Sequence, residues 1–129
     1  MPGKEGFSLI ELLIAMAIVG LLSAIAIPIY SQHVAKEYRV EAIVSLTQLA
    51  VALEQYYSQH NSYQDVSLSK LGIQSYIAHD HYVMSITRAT TSEYEIAASS
   101  EKDSLCRTLT LNSKGEQGSS GLGKLSECW

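Results

Sequence analysis

Hydrophobic and polar positions divide the chain into three regimes. From Leu12 to Ala35 there is no Asp, Glu, Lys or Arg, and most of these 24 residues are apolar. As a helix they reach roughly 36 Å, enough for a hydrocarbon core of about 30 Å. Over Ser31–Asn61 the pattern changes. Val34, Tyr38, Ala42, Leu46, Leu49, Leu53 and Tyr57 recur every three or four residues, while Lys36, Arg39, Glu41, Gln48 and Gln55 fall mostly elsewhere. That periodicity predicts an amphipathic helix. Joined to the apolar stretch, it makes one helix from Phe7 to about His60, roughly 80 Å long at the helical rise. Pro28 lies inside it, deletes one backbone hydrogen bond, and is expected to kink or loosen it. Membrane helices tolerate such an interruption.

The third regime has period two. His60–Gly72 reads as a polar connection with one helical turn at Leu68–Leu71. Tyr82–Thr87, Glu93–Ala97 and Arg107–Leu111 alternate and are rich in β-branched residues, so they read as strands, with Ala89–Ser92 closing a hairpin. Asn112–Gly115 reads as a turn and Gly118–Gly123 (GSSGLG) as a flexible loop. The fold class that follows is α+β: a long helix whose second half packs on a three- or four-stranded antiparallel sheet.

Composition adds limits. With 129 residues, one small domain and an appendage are affordable. Net charge is −4, which gives no global attraction to nucleic acid or anionic lipid. Beyond the apolar stretch, Lys36, Arg39, Lys70, Arg88, Lys102, Arg107, Lys114 and Lys124 are dispersed among 11 acids. Phosphate binding needs such residues clustered, so the sequence offers nucleic acid as a partner to be tested, with nothing positive for it. Folding could still gather Lys102, Arg107, Lys114 and Lys124. The eight tyrosines suit core and interface packing. No GxSxG, HExxH, P-loop or paired-acid pattern is present, so neither enzymatic activity nor a cofactor is expected. His79-Asp80-His81 offers metal-type ligands, but no third ligand is indicated by spacing, and no metal site is expected.

Cys106 and Cys128 have 21 residues between them and no zinc-type spacing. They read as a disulfide if this part of the chain reaches an oxidising compartment, and otherwise as two buried thiols. Pairing places the C-terminal region outside the cell membrane and the N-terminus in the cytoplasm, since Lys4 before the span and Lys36 and Arg39 after it are nearly balanced.

The N-terminus carries the sharpest signal. MPGKEG is short, polar and ends in Gly6, and the apolar block begins at once with Phe7. A secretory signal is cut after its apolar region. Ser23-Ala24-Ile25-Ala26 imitates such a site, yet the apolar run continues through it. Glu11 stands inside the would-be span, where an ionised acid costs about 2.5–3.5 kcal/mol on insertion scales and needs a partner. Gly6-Phe7-Ser8-Leu9-Ile10-Glu11, followed by an apolar helix with Gly20 and Ala26-Ile27-Pro28, resembles a type IV pilin precursor of the type IVa class. The ending Cys128-Trp129 and the small head resemble a minor pilin.

The resemblance implies a leader, residues 1–6, removed between Gly6 and Phe7 by a prepilin peptidase that also methylates the new Phe7 amine. It implies a membrane and filament-core helix over 7–30, an amphipathic helix over 31–62 and a head over 63–129. Glu11 would set subunit register by meeting the Phe7 amine of a neighbour, and Gly20–Pro28 would become non-helical in the filament. Implied partners are other pilin subunits, the inner-membrane assembly platform, and lipid before assembly. The chain would wait in the bacterial inner membrane and end in an extracellular pilus serving adhesion, twitching motility or DNA uptake. A type II secretion pseudopilin shares residues 6–30 of this pattern. A competence pilin would bind DNA with its head, and a bitopic membrane protein would keep MPGKEG attached.

Overall fold

The computed structural model describes Gly3 and residues 5–129. Met1, Pro2 and Lys4 of the expected leader lie outside the described residues. The chain divides into two compact units, Met1–Val34 and Ala35–Trp129. Helix α1, Leu9–His60, belongs to both and is continuous through Gly20 and Pro28. The expected loosening at Pro28 does not interrupt the helix in the single chain.

In the first unit almost every large apolar side chain is exposed, including Leu13, Ile14, Leu21, Ile25 and Ile29. This part of α1 is long and apolar enough to cross a membrane. Its two serine hydroxyls are used internally: Ser23 Oγ donates to Val19 O at 2.7 Å and Ser31 Oγ to Ile27 O at 3.1 Å. Neither presents an unpaired donor to lipid.

In the second unit the helical stripe does what its spacing predicts. Ala42, Leu46, Leu49 and Leu53 are fully buried, with Tyr38 and Tyr57 packed at the margins. They share one core with Tyr82, Met84, Ile96, Ala98 and Leu109 of the sheet. A short helix α2, Leu68–Leu71, starts at Ser67, whose side chain accepts from Lys70 N, and stops at Gly72, where φ is +69°. The sheet is an antiparallel meander in the order β1-β2-β3-β4-β5: Tyr76–Ile77, Tyr82–Ala89, Tyr94–Ser99, Thr108–Asn112 and Gln117–Ser120. Helix α3, Leu125–Cys128, ends the chain.

Five strands replace the three or four expected. β1 is two residues long, too short for alternation to register. β5 reads QGSS and has no β-branched residue, so composition assigns it to a loop. Its pairing is tertiary. Thr110 lies opposite Gly118, where a Cβ would run into Thr110 Oγ1, so the strands approach this closely only over glycine. Trp129 Nε1 donates to Gly118 O at 2.7 Å and pins the same strand. The expected flexible loop is therefore corrected. Gly118–Ser120 is strand, and beyond it Leu122 N donates to Ser104 O and Gly123 N to Leu105 O, at 3.1 and 2.9 Å.

Candidate functional site

The first candidate site is the start of α1. Gly6 and Phe7 precede the helix, and Phe7 is 86% exposed. Ser8 and Glu11 close a reciprocal cap: Glu11 N donates to Ser8 Oγ at 3.3 Å and Ser8 N donates to Glu11 Oε2 at 3.0 Å. This is the S-x-x-E capping box, which satisfies two backbone donors that a helix start leaves open. A carboxylate in the first turn also complements the helix dipole. In the single chain, then, Glu11 is partnered by its own helix, while Phe7 remains in peptide linkage. The spacing Ser8-x-x-Glu11 is itself a readable cap signal.

The second site is the disulfide-closed end of the head. Cys106 and Cys128 are bonded, with Cα atoms 5.6 Å apart, in the usual range. Just ahead of Cys106, Asp103 is buried and collects five hydrogen bonds. Arg39 Nε donates to Oδ2 at 2.6 Å and an Arg39 terminal nitrogen to Oδ1 at 3.2 Å. Tyr82 Oη donates to Oδ2 at 2.9 Å, and the Leu105 and Cys106 N–H groups donate to Oδ1, each at 3.1 Å. Burial alone would push the Asp103 carboxyl up. The bonds from Arg39, Cys106 N and Tyr82 outweigh it, and the carboxyl lies below its ordinary value. Arg39 is raised, chiefly by its hydrogen bond to Asp103, and Tyr82 is raised by burial and by the same carboxylate. Periodicity places Arg39 off the apolar stripe but cannot show a partner 64 residues away.

A tyrosine cluster marks the far end of the core. Tyr63 packs against Tyr57 and Tyr94, with ring centroids 4.7 and 4.9 Å away, and its hydroxyl donates to Glu54 at 2.9 Å. Burial, then the bond to Glu54, pushes Tyr63 up to about 12. A raised folded value stabilises the head fully below the unfolded tyrosine value near 10 and is lost as pH rises towards 12. Alkaline titration of the head should therefore show stability falling across that window, and Tyr63→Phe should flatten the fall.

His79 and His81 bracket the Tyr38 ring, His81 stacked at 3.9 Å and His79 edge-on at 6.0 Å. Among the described residues no cluster could hold a metal ion. Four of the cations among the described residues have partners of their own. Arg39 is taken by Asp103, Arg88 and Lys114 share Glu93, and Lys70 donates to Asp65 O. Lys102 and Arg107 line one cleft at the end of β2–β4.

A helix with an exposed apolar first half, an amphipathic second half under an antiparallel meander, and a disulfide-closed C-terminal loop define a pilin. The family model described as type IV minor pilin ComP, DNA uptake sequence receptor, matches residues 28–110, and the prokaryotic N-terminal methylation motif matches residues 1–27. The chain belongs to this type IV minor pilin family and is a type IV pilin. The type IV major pilin PilA of Myxococcus xanthus is 41% identical over 64 residues, 50% of this chain and 29% of that protein. The major pilin PilE1 of Neisseria gonorrhoeae is 34% identical over 86 residues, 67% of this chain and 40% of that one. The chain thus spans less than half the length of these relatives. The non-core minor pilin PilV of Neisseria meningitidis shares the fold, with a TM-score of 0.55 at 19% identity, over 69% of this chain and 92% of that structure.

Proposed function

We infer that the chain is made as a precursor and cut between Gly6 and Phe7. It is then methylated on the Phe7 amine and held in the inner membrane by the first half of α1, with its head outside. From there it is built into a type IV filament or primes one. The prepilin peptidase and the assembly platform are its processing partners, and other pilins surround it in the filament. The observation that carries this reading is an acid, Glu11, on a helix segment whose apolar side chains are exposed. Such a segment needs lipid or neighbouring helices around it, and Glu11 then needs a cation. Cleavage supplies one at the Phe7 of each neighbour. A desolvated pair of this kind contributes more to register than to stability, because the attraction mainly offsets the loss of hydration.

Two variants separate register from capping. Ser8→Ala removes the cap, costs about 1 kcal/mol at the helix start, and should leave incorporation into filaments intact. Glu11→Val should leave the membrane-held protein stable and abolish most incorporation; undiminished incorporation would remove the register role. Gly20–Pro28 is the segment expected to give up helical hydrogen bonds in the filament, because Gly lowers helix propensity and Pro lacks a donor. Its amides should exchange faster in filaments than in micelles.

Uptake of DNA by the head is a second reading, favoured by the description of the family model that residues 28–110 match. Lys36, Lys102, Arg107 and Lys124 are the cations not engaged above. If all four neutralise phosphates, binding of duplex DNA by the full chain in micelles falls with salt at a log–log slope of about −3.6. Absence of binding at low salt would exclude this output and leave the filament role untouched.

A further inference from the structure

A cleft lined by Lys102 and Arg107, at the end of β2–β4, is left unused by the filament role. Its volume is about 760 Å³, and its lining includes Asp80, Glu101, Lys102 and Arg107. Its floor is a row across three strands: Val83 of β2 lies opposite Ser99 of β3, and Ser99 opposite Thr108 of β4. The row is small and flat, one apolar side chain beside two hydroxyls.

The walls carry charge of both signs. Asp80 stands on the β2 side, Arg107 on the β4 side, and Glu101 and Lys102 at the end, in the turn that follows β3. Among the described residues none of these four groups enters a salt bridge. Two acids and two bases that face one cleft without neutralising each other are a poor fit for a ligand of one sign. Duplex DNA that uses Lys102 and Arg107 must also set its phosphates beside Asp80 and Glu101. A ligand carrying both signs can pair with Asp80 and Arg107 at once.

The spacing sets the size of that ligand. β2 and β4 lie two strand separations apart, about 10 Å. A free amino acid holds its ammonium and carboxylate far closer than that. An extended tripeptide covers about 10 Å at 3.3–3.6 Å per residue, and the cleft volume is that of a small-molecule site.

The Asp80 wall is also held in place at a conformational cost. Ala78, His79 and Asp80 have φ of +53°, +53° and +62°, three successive left-handed residues without a glycine. Each such residue is unfavourable by about 1–2 kcal/mol, and strain of this kind concentrates where a side chain must be aimed. The histidines on either side of Asp80 clamp the Tyr38 ring. His81 also carries the one buried side-chain atom among the described residues that no protein group satisfies, Nδ1.

We propose that this cleft binds a short zwitterionic peptide, about three residues long, with its amine on the Asp80 side and its carboxylate on the Arg107 side. The full chain in detergent micelles, labelled with nitrogen-15, is titrated with triglycine, with triglycine blocked at both ends, and with a short DNA duplex. Triglycine should shift the amides of Val83, Ser99 and Thr108 with a millimolar Kd, and the blocked peptide should not. Asp80→Asn and Arg107→Gln should each weaken binding about tenfold. Both side chains are exposed, so the remaining amide spectrum checks that the fold is kept. If triglycine leaves these amides unmoved, or the blocked peptide moves them equally, the proposal fails. If duplex DNA shifts them and triglycine does not, the cleft is a phosphate site and the proposal is equally overturned.

Discussion

Replacing Asp103 with Ala is expected to destabilise the head by about 3–5 kcal/mol, the usual cost of removing one member of a buried ion pair. The change strands the Arg39 guanidinium and two loop N–H groups together, while the Tyr82 hydroxyl keeps the Cys106 carbonyl as its acceptor at 2.9 Å. Arg39→Met is expected to cost less, about 2 kcal/mol, because Asp103 keeps Tyr82 and the two backbone donors. Denaturant melts of the full chain in micelles measure both. Equal losses would mean that the ion pair, and not the five-bond cradle, is what matters. The pH dependence has a definite sign. The folded Asp103 carboxyl lies below its unfolded value, so its contribution is full above about pH 4 and is lost as pH falls through the folded value. Asp103→Asn should remove that part of the acid sensitivity.

Breaking the Cys106–Cys128 bond should cost about 3 kcal/mol on the loop-entropy model, since it closes a loop of sequence separation 22. For a head this small, that is a large fraction of a total of about 5–15 kcal/mol. The loss should be local at first. Cys128 ends α3 next to Trp129, whose indole pins β5 through Gly118 O. With Cys106→Ser and Cys128→Ser together, hydrogen exchange should rise first in Gln117–Ser120, while Ala42–Leu53 stays protected. Uniform loss of protection would show that the C-terminal loop is not a separable unit.

These two expectations rest on contacts of very different legibility. The stripe from Ala42 to Leu53 and the turn at Leu68–Leu71 were readable because each is set by neighbours three or four residues away. Strands β2, β3 and β4 were readable because alternation over five or more residues survives in the sequence. β5 was not, since QGSS has neither alternation nor β-branching and is a strand only because Thr110, Trp129 and the disulfide hold it there. Likewise nothing local announces that Arg39 and Asp103 meet. Gly6, Phe7 and Glu11 stood out at once, because an acid in an apolar run and a glycine ahead of it violate what a simple anchor needs. The same stretch held a second reading, the Ser8–Glu11 cap, which shows how a lone chain satisfies that acid.

The proposed role makes MPGKEG a processing signal and the new Phe7 terminus the partner of Glu11 in a filament. Intact mass of the membrane-expressed protein, with the peptidase present and absent, tests it most directly. Residues 1–6 should be lost and one methyl group gained only when the peptidase is present. A chain that keeps MPGKEG in the presence of active peptidase would contradict it.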